Sequence, residues 1–154
     1  MDLVAIGVAT LQAYGLLGLG VIAFFSASLL PFPSEPVLVL AAKYCDFWSI
    51  VAVVTVASTL AALINYYVGL KGIHSFFVKR DPRGEKKAEG WFGKWGSIVL
   101  VASPWIPFIG DLMPVVAGTL SMGWKKFLVL IVAARIIKTV AVVWFGEQLW
   151  LFIG

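Results

Sequence analysis

Four ionisable side chains lie within apolar parts of the sequence, where an ionic group has to serve a purpose. Glu35 and Asp111 each lie in a proline-rich break, and Arg135 and Lys138 stand three positions apart in one long apolar run. A guanidinium matches phosphate with two parallel hydrogen bonds, and an ammonium adds a point charge. We therefore predict that Arg135 and Lys138 bind an anion or phosphate, and that Glu35 and Asp111 contact the substrate or carry protons.

Each of these residues also has a purely structural interpretation. A carboxylate at the start of a helix caps free backbone N–H groups, and a buried arginine can be fixed in an ion pair with such a carboxylate. A polar stripe in the apolar run 47–70, which precedes the run that contains Arg135, either packs helices together or lines a cavity. We predict Thr59 and Asn65 as cavity-lining residues. The stripe consists of Thr55, Ser58, Thr59, Ala62, Asn65 and Tyr66.

The composition indicates a protein of the membrane. Of 154 residues, 61% are hydrophobic and 13% are charged, whereas a soluble domain has roughly a quarter of its residues charged. This argues against a soluble enzyme and a nucleic-acid-binding module. One cysteine and one histidine argue against a disulfide framework and a metal site. With no nucleophile–base pair in sight, we predict that the chain is not an enzyme and has no catalytic residues, cofactor, metal or nucleic-acid partner.

The sequence segments around Glu35 and Asp111 are similar to each other, which indicates an internal repeat. Each half has a short apolar arm, a proline-rich break, a second short arm and a full span. Arms of about 9–12 residues reach roughly half of a 30 Å hydrocarbon core, so each pair of arms forms a re-entrant hairpin. A shift of 76 positions aligns Pro31-Phe32 with Pro107-Phe108, Glu35 with Asp111, Val39 with Val115 and Trp48 with Trp124.

We accordingly predict an all-α integral membrane protein, a single membrane domain built as an inverted repeat of a re-entrant helical hairpin plus a transmembrane helix. Repeat 1 covers about 9–70, with its hairpin at 20–44 and its span at 47–70. Repeat 2 covers about 85–146, with its hairpin at 97–123 and its span at 127–145. The predicted hairpin breaks are Pro31, Pro33, Pro36, Pro104, Pro107 and Pro114.

Charge sets the orientation of this multi-pass chain in the cell membrane. Seven of the twelve basic residues fall between 71 and 94, which predicts that the loop 71–96 is cytoplasmic. Residues 85–96 are expected to form an interfacial helix before the second hairpin. Residues 2–19 form a similar helix before the first hairpin, or a further span.

Two motifs resemble the DedA family, also called the SNARE-associated or VTT-domain superfamily. They are PFPSEPVLVLAA at 31–42 and SPWIPFIGDLMPVVAG at 103–118, and INYYVG at 64–69 resembles the YqaA-like branch. The resemblance implies opposed re-entrant hairpins, homodimers and movement of polyprenyl-phosphate carriers or phospholipids between leaflets, in some members with protons. Glu35 stands where the family has its first-hairpin glutamate. Pro104 and Gly110 stand where bacterial members have two arginines, a role we assign to Arg135 and Lys138.

The predicted function is a transporter, a flippase or scramblase that moves an anionic lipid or lipid-linked phosphate between leaflets, with protons as the candidate coupling ion. Two alternatives remain open: a small-ion or solute secondary transporter, and a membrane-assembly protein without transport activity.

Overall fold

The computed structural model describes residues 3–27, 35–71, 82–106 and 109–153, and every secondary-structure element in these ranges is helical. The all-helical prediction is therefore confirmed. The helices are α1 (Leu3–Ala27), α2 (Glu35–Tyr44), α3 (Phe47–Leu70), α4 (Pro82–Trp95), α5 (Val99–Ala102), α6 (Ile109–Thr119) and α7 (Trp124–Ile153), with 3₁₀ turns at Gly96–Ile98 and Ser103–Trp105.

Helices α3 and α7 are long and apolar enough to cross a membrane. α3 has the predicted bounds, 47–70. α7 is 30 residues long and continues to Ile153, so its predicted end at residue 145 is wrong. Residues 146–153 contain no proline, and their mostly apolar side chains let the helix continue.

The helix before the first predicted hairpin break is kinked. Gly15 interrupts α1 with φ 54° and ψ −131°, a conformation that glycine adopts without steric cost. α1 is thus broken at Gly15 and continues past residue 20, and the hairpin predicted to begin there stays a prediction. Pro31 and Pro33 lie outside the described residues. Pro36 falls in the first turn of α2, where a missing N–H costs no helical hydrogen bond.

The region of the second predicted hairpin differs from its prediction in two places. Residues 96–105, predicted as one helical arm, form a succession of 3₁₀ and α turns, with Gly96 at φ 62° and Pro104 opening the last turn. Pro107 lies outside the described residues. Pro114 lies inside α6, so the predicted break at this residue is wrong. Helices of membrane proteins tolerate an internal proline when neighbouring groups satisfy the freed carbonyl.

The chain divides into two compact units, each with its own core. Unit 1 comprises Met1–Ser58 and Ile136–Gly154, and unit 2 comprises Thr59–Arg135. The single domain and the repeat boundaries stay predictions. The core of unit 1 includes Leu19, Ile22, Val37, Ala41, Ile50 and Val143. The core of unit 2 includes Tyr66, Phe92, Leu100, Met113, Ala117, Phe127 and Ile131.

Candidate functional site

Both predicted acids lie in the first turn of a helix that was predicted to form the second arm of a hairpin. Glu35 is the first residue of α2, and Asp111 is in the first turn of α6. The backbone N–H groups of a first turn and the helix dipole both favour a negative charge there. The fold therefore fixes the two carboxylates at equivalent points of their helices, as the 76-residue spacing predicts.

The two predicted cations lie on the buried face of α7. Arg135 is buried and Lys138 is partly buried. Residues three apart share one face of a helix, so both cations follow the same stripe. The fully or almost fully buried residues of this stripe are Phe127, Ile131, Ala134, Thr139 and Val143.

In unit 1, Lys138 pairs with Glu35. The Lys138 Nζ donates a hydrogen bond of 2.7 Å to Oε1 of Glu35, and the two side chains are 20% and 49% exposed. The distance is typical of a charge-assisted hydrogen bond. Because both partners keep part of their surface open, the pair contributes modestly to stability.

In unit 2, Arg135 pairs with Asp111. The Arg135 Nη2 lies 3.7 Å from Oδ1 of Asp111, and the side chains are 8% and 30% exposed. At that separation these two atoms attract each other as charges, and they are beyond the distance of a direct hydrogen bond. An arginine this deeply buried depends strongly on a counter-charge, since it keeps its proton in proteins.

The four predicted residues thus come together in two pairs, one within each unit. The pairing agrees with the structural interpretation of the charges. It also positions each cation where an incoming anion would compete with a carboxylate for it. The assignment of these residues to anion binding and proton transfer stays a prediction.

The predicted polar stripe of α3 is a buried face. All six residues are buried, including Thr59 and Asn65. Ser58 Oγ donates to the carbonyl of Val54 at 2.6 Å, whereas Thr55 Oγ1 and Thr59 Oγ1 have no hydrogen-bond partner within the described ranges. Close helix packing accounts for the burial, and the cavity-lining role of Thr59 and Asn65 stays a prediction.

Contacts made by Tyr66 and Trp150 join distant parts of the chain within each unit, and the sequence did not predict these contacts. In unit 2, the hydroxyl of Tyr66 donates to the carbonyl of Met122, and its ring stacks on Phe127 with centroids 4.5 Å apart. In unit 1, Trp150 Nε1 donates to the carbonyl of Val39 at 2.8 Å. Trp150 could not be placed from sequence, because the predicted span ended before it.

Glycines allow the closest helix contacts in both units. A Cβ added to Gly118 of α6 would overlap the carbonyl oxygen of Tyr66, and one added to Gly69 would overlap that of Val115. In unit 1, a Cβ on Gly146 would lie 3.2 Å from the Cα of Val39. The second arms are therefore held against long helices by backbone approach.

Across the described part of the chain, no group of three or more His, Cys, Asp and Glu residues is placed to hold a metal ion. The predicted lack of metal, cofactor and enzymatic activity stays a prediction.

Comparison with known proteins identifies relatives along most of the chain. The model of the VTT domain matches residues 32–148. Inner membrane protein YqaA of Escherichia coli is 32% identical over 133 residues, which is 85% of this chain and 90% of that protein. Undecaprenyl phosphate transporter A of Bacillus subtilis is 31% identical over 61% of this chain and 50% of its own length. An alkaline phosphatase-like protein of Lactococcus lactis subsp. cremoris is 27% identical over 90% of this chain and 72% of its own. No solved structure matches the chain.

Proposed function

This chain belongs to the VTT-domain (DedA) family of membrane proteins, and from that premise we propose that it moves a lipid-linked phosphate between the leaflets of the cell membrane. The relative named as an undecaprenyl phosphate transporter supports this class of substrate. The two long apolar helices, α3 and α7, provide the spans. We extend the proposal to proton coupling and to a homodimer, which the family implies.

The proposed architecture is the inverted repeat of re-entrant hairpins, with the basic loop 71–96 in the cytoplasm. Helix bounds support it, because shifting α2 by 76 positions superposes it on α6 to within two residues at either end. Buried positions support it as well: Val37 and Ala41 of α2 correspond to Met113 and Ala117 of α6, and all four are fully buried. Opposed hairpins of this kind form the substrate sites of many secondary transporters.

The proposed mechanism is an exchange of anions on α7. The phosphate replaces Asp111 as the partner of Arg135, because a phosphate can accept two parallel hydrogen bonds from the guanidinium. Lys138 contributes a second positive charge. Two acids and two cations sum to zero, so an entering anion favours protonation of Glu35 or Asp111. The observation that carries the proposal is the pairing of the buried Arg135 with Asp111.

A leaflet-exchange assay tests the proposal. The purified protein is reconstituted into liposomes that contain a fluorescent polyprenyl phosphate. A membrane-impermeant quencher removes the outer-leaflet signal at once, and the later quenching of lipid from the inner leaflet reports exchange. We expect wild-type vesicles to exchange the lipid, and Arg135→Gln with Lys138→Gln to slow exchange by tenfold or more. A pH gradient should accelerate the wild type if protons are coupled to transport.

The matched control is Ile137→Ala, which changes the same turn of α7 at a side chain that is 52% exposed. Its exchange rate should equal that of the wild type. Exchange that persists in the Arg135/Lys138 variant would remove the anion-binding role. Release of inorganic phosphate from the lipid would instead favour hydrolysis, the activity suggested by the name of the phosphatase-like relative.

A further inference from the structure

We propose that α4 and the start of α7 form a docking surface for the headgroups of anionic phospholipids. This headgroup surface is a feature of unit 2 and does not depend on the transport proposal. Its cations are Arg83, Lys86, Lys87, Lys94, Lys125 and Lys126, and all six are exposed.

The first observation is an excess of positive charge. By sequence, α4 and residues 124–126 contain six bases and two acids, Glu85 and Glu89, and all six bases are exposed. Clusters of four to eight Lys and Arg next to a membrane span attract anionic lipid over about a Debye length. A surface with this excess of positive charge repels cations and does not attract neutral molecules. Its complementary occupant next to a membrane span is an anionic headgroup.

The second observation is a pair of tryptophans among these lysines. Trp95 and Trp124 are both exposed. Lys94 Nζ lies 5.9 Å from the ring centroid of Trp95, and Lys125 Nζ lies 5.7 Å from that of Trp124. Tryptophan concentrates at the level of lipid headgroups, where its ring is apolar and its N–H is wet. Neighbouring lysines at that level meet phosphate groups.

The third observation is that the helices carrying the surface are packed into the core of unit 2. Phe92 of α4 and Phe127 of α7 are buried in the same core, together with Tyr66, and Trp91 packs against it. α4 therefore fixes one side in the protein and presents its charged side outward, as an interfacial amphipathic helix does. The packed helix therefore holds the backbone of these basic residues at one place on unit 2, while their side chains stay free to reach a headgroup.

Unit 1 offers a natural comparison. It also has a lysine over a tryptophan, since Lys43 Nζ lies 4.5 Å from the ring centroid of Trp150. However, the exposed residues of α2 and the turn after it include Glu35 and Asp46 beside Lys43. Unit 1 therefore has the contact between a lysine and a tryptophan but lacks the excess of positive charge. Lys43 is for this reason the matched control position.

Quenching of tryptophan fluorescence by brominated lipid tests the proposal. The full chain is reconstituted in mixtures of phosphatidylcholine and phosphatidylglycerol in which one or the other is brominated. The signal of the surface is the difference between wild type and the Trp95→Phe/Trp124→Phe variant. We expect brominated phosphatidylglycerol to quench this signal several times more strongly than brominated phosphatidylcholine at equal mole fraction.

Lys87→Gln, Lys94→Gln and Lys125→Gln together should lower that preference by about fivefold or to equality, and raising the salt concentration should lower it in the unmodified protein. Lys43→Gln should leave it unchanged. Equal quenching by the two lipids in the wild type, or a preference that survives the triple substitution and high salt, overturns the proposal. The salt titration needs only the wild type and the Trp95→Phe/Trp124→Phe variant, so the test stands even if the triple lysine variant fails to fold. Transport need not be measured, so failure here leaves the leaflet-exchange result intact.

Discussion

In unit 1, α2 packs against α7 where Val39 meets Gly146, and in unit 2, α6 packs against α3 where Val115 meets Gly69. Val39 and Val115 are counterparts under the 76-residue shift, so the two second arms use the same position to contact a long helix. The contact in unit 2 is closer, because a carbonyl oxygen occupies the space that a Cβ on Gly69 would need. The two contacts thus involve positions 76 residues apart, but they differ in tightness.

The ion pairs of the two units also differ, in burial and in distance. The pair in unit 2 is the more deeply buried, and the pair in unit 1 is shorter but open to its surroundings. Both cations belong to α7, and the positions of α3 that correspond to them by the shift are Thr59 and Ala62. One helix therefore supplies the positive charge for both acids, and the comparison can be tested unit by unit.

The largest difference is expected from removing each cation. Arg135→Ala should lower the free energy of unfolding by about 3 kcal/mol, because it leaves Asp111 in a largely buried place without its cation. Lys138→Ala should cost about 1 kcal/mol or less, because Glu35 is half-exposed. Denaturation of both variants in mild detergent, followed by circular dichroism, measures the difference. If Arg135→Ala and Asp111→Ala cost simply additive amounts in the double variant, the two side chains are not coupled.

The next largest effect is expected at the glycines. Gly118→Ala should destabilise the protein by about 2 kcal/mol, because the new methyl group overlaps a backbone carbonyl that cannot move away freely. Gly146→Ala should cost about 1 kcal/mol or less, because its Cβ meets Val39 at 3.2 Å and small shifts relieve the contact. Melting temperatures of the two variants in one detergent rank them. Equal losses would mean that the two units are packed alike.

A smaller pair of effects is expected at the aromatic hydrogen bonds. Tyr66→Phe keeps the ring stacked on Phe127 and removes only the hydroxyl that bonds to Met122, which should cost about 1 kcal/mol. Trp150→Phe also removes a bond, to the carbonyl of Val39, and shrinks the ring. Amide hydrogen exchange should rise in α6 for the first variant and in α2 for the second. Exchange that rises uniformly in both would contradict the assignment of each bond to its own unit.

The smallest effect is expected at Lys43. Lys43→Gln removes the ammonium over Trp150, an exposed cation–π contact that is worth about 0.5 kcal/mol. The unfolding transition should shift only slightly, and the fluorescence maximum of Trp150 should change more visibly than the stability. A Trp150→Phe variant assigns that fluorescence signal. A loss as large as that of Tyr66→Phe would mean that this contact is central to unit 1.

Sequence reasoning predicted the parts of the fold that depend on local composition. The bounds of α3 follow from a continuous apolar run, and the first-turn positions of the acids follow from the breaks before them. The predicted span stopped at residue 145, but Glu147 and Gln148, which follow it, do not break a helix, and α7 continues to Ile153. Pro114 was taken as a break because proline usually ends helices, and its surroundings within the fold override that tendency.

The site was predictable only as a set of residues. Four charges are evident from their apolar surroundings in the sequence, but the choice of partners depends on the rotation of α7 about its axis. Neither the pairing of Lys138 with Glu35 nor that of Arg135 with Asp111 is encoded in spacing along the chain. The contacts of Trp150 and Tyr66 likewise join residues more than fifty positions apart, and no local pattern signals them.

The interlaced contacts have a consequence for the order in which the protein is made. α2 lies near the beginning of the chain and packs early against α1 and the start of α3, but its polar contacts with Lys138 and Trp150 and its close approach to Gly146 all involve the last helix. As the polypeptide leaves the ribosome, these contacts of α2 with α7 form only after nearly the whole chain has been synthesised. Two fragments divided between residues 71 and 82 should accordingly be degraded when produced singly and accumulate when co-expressed.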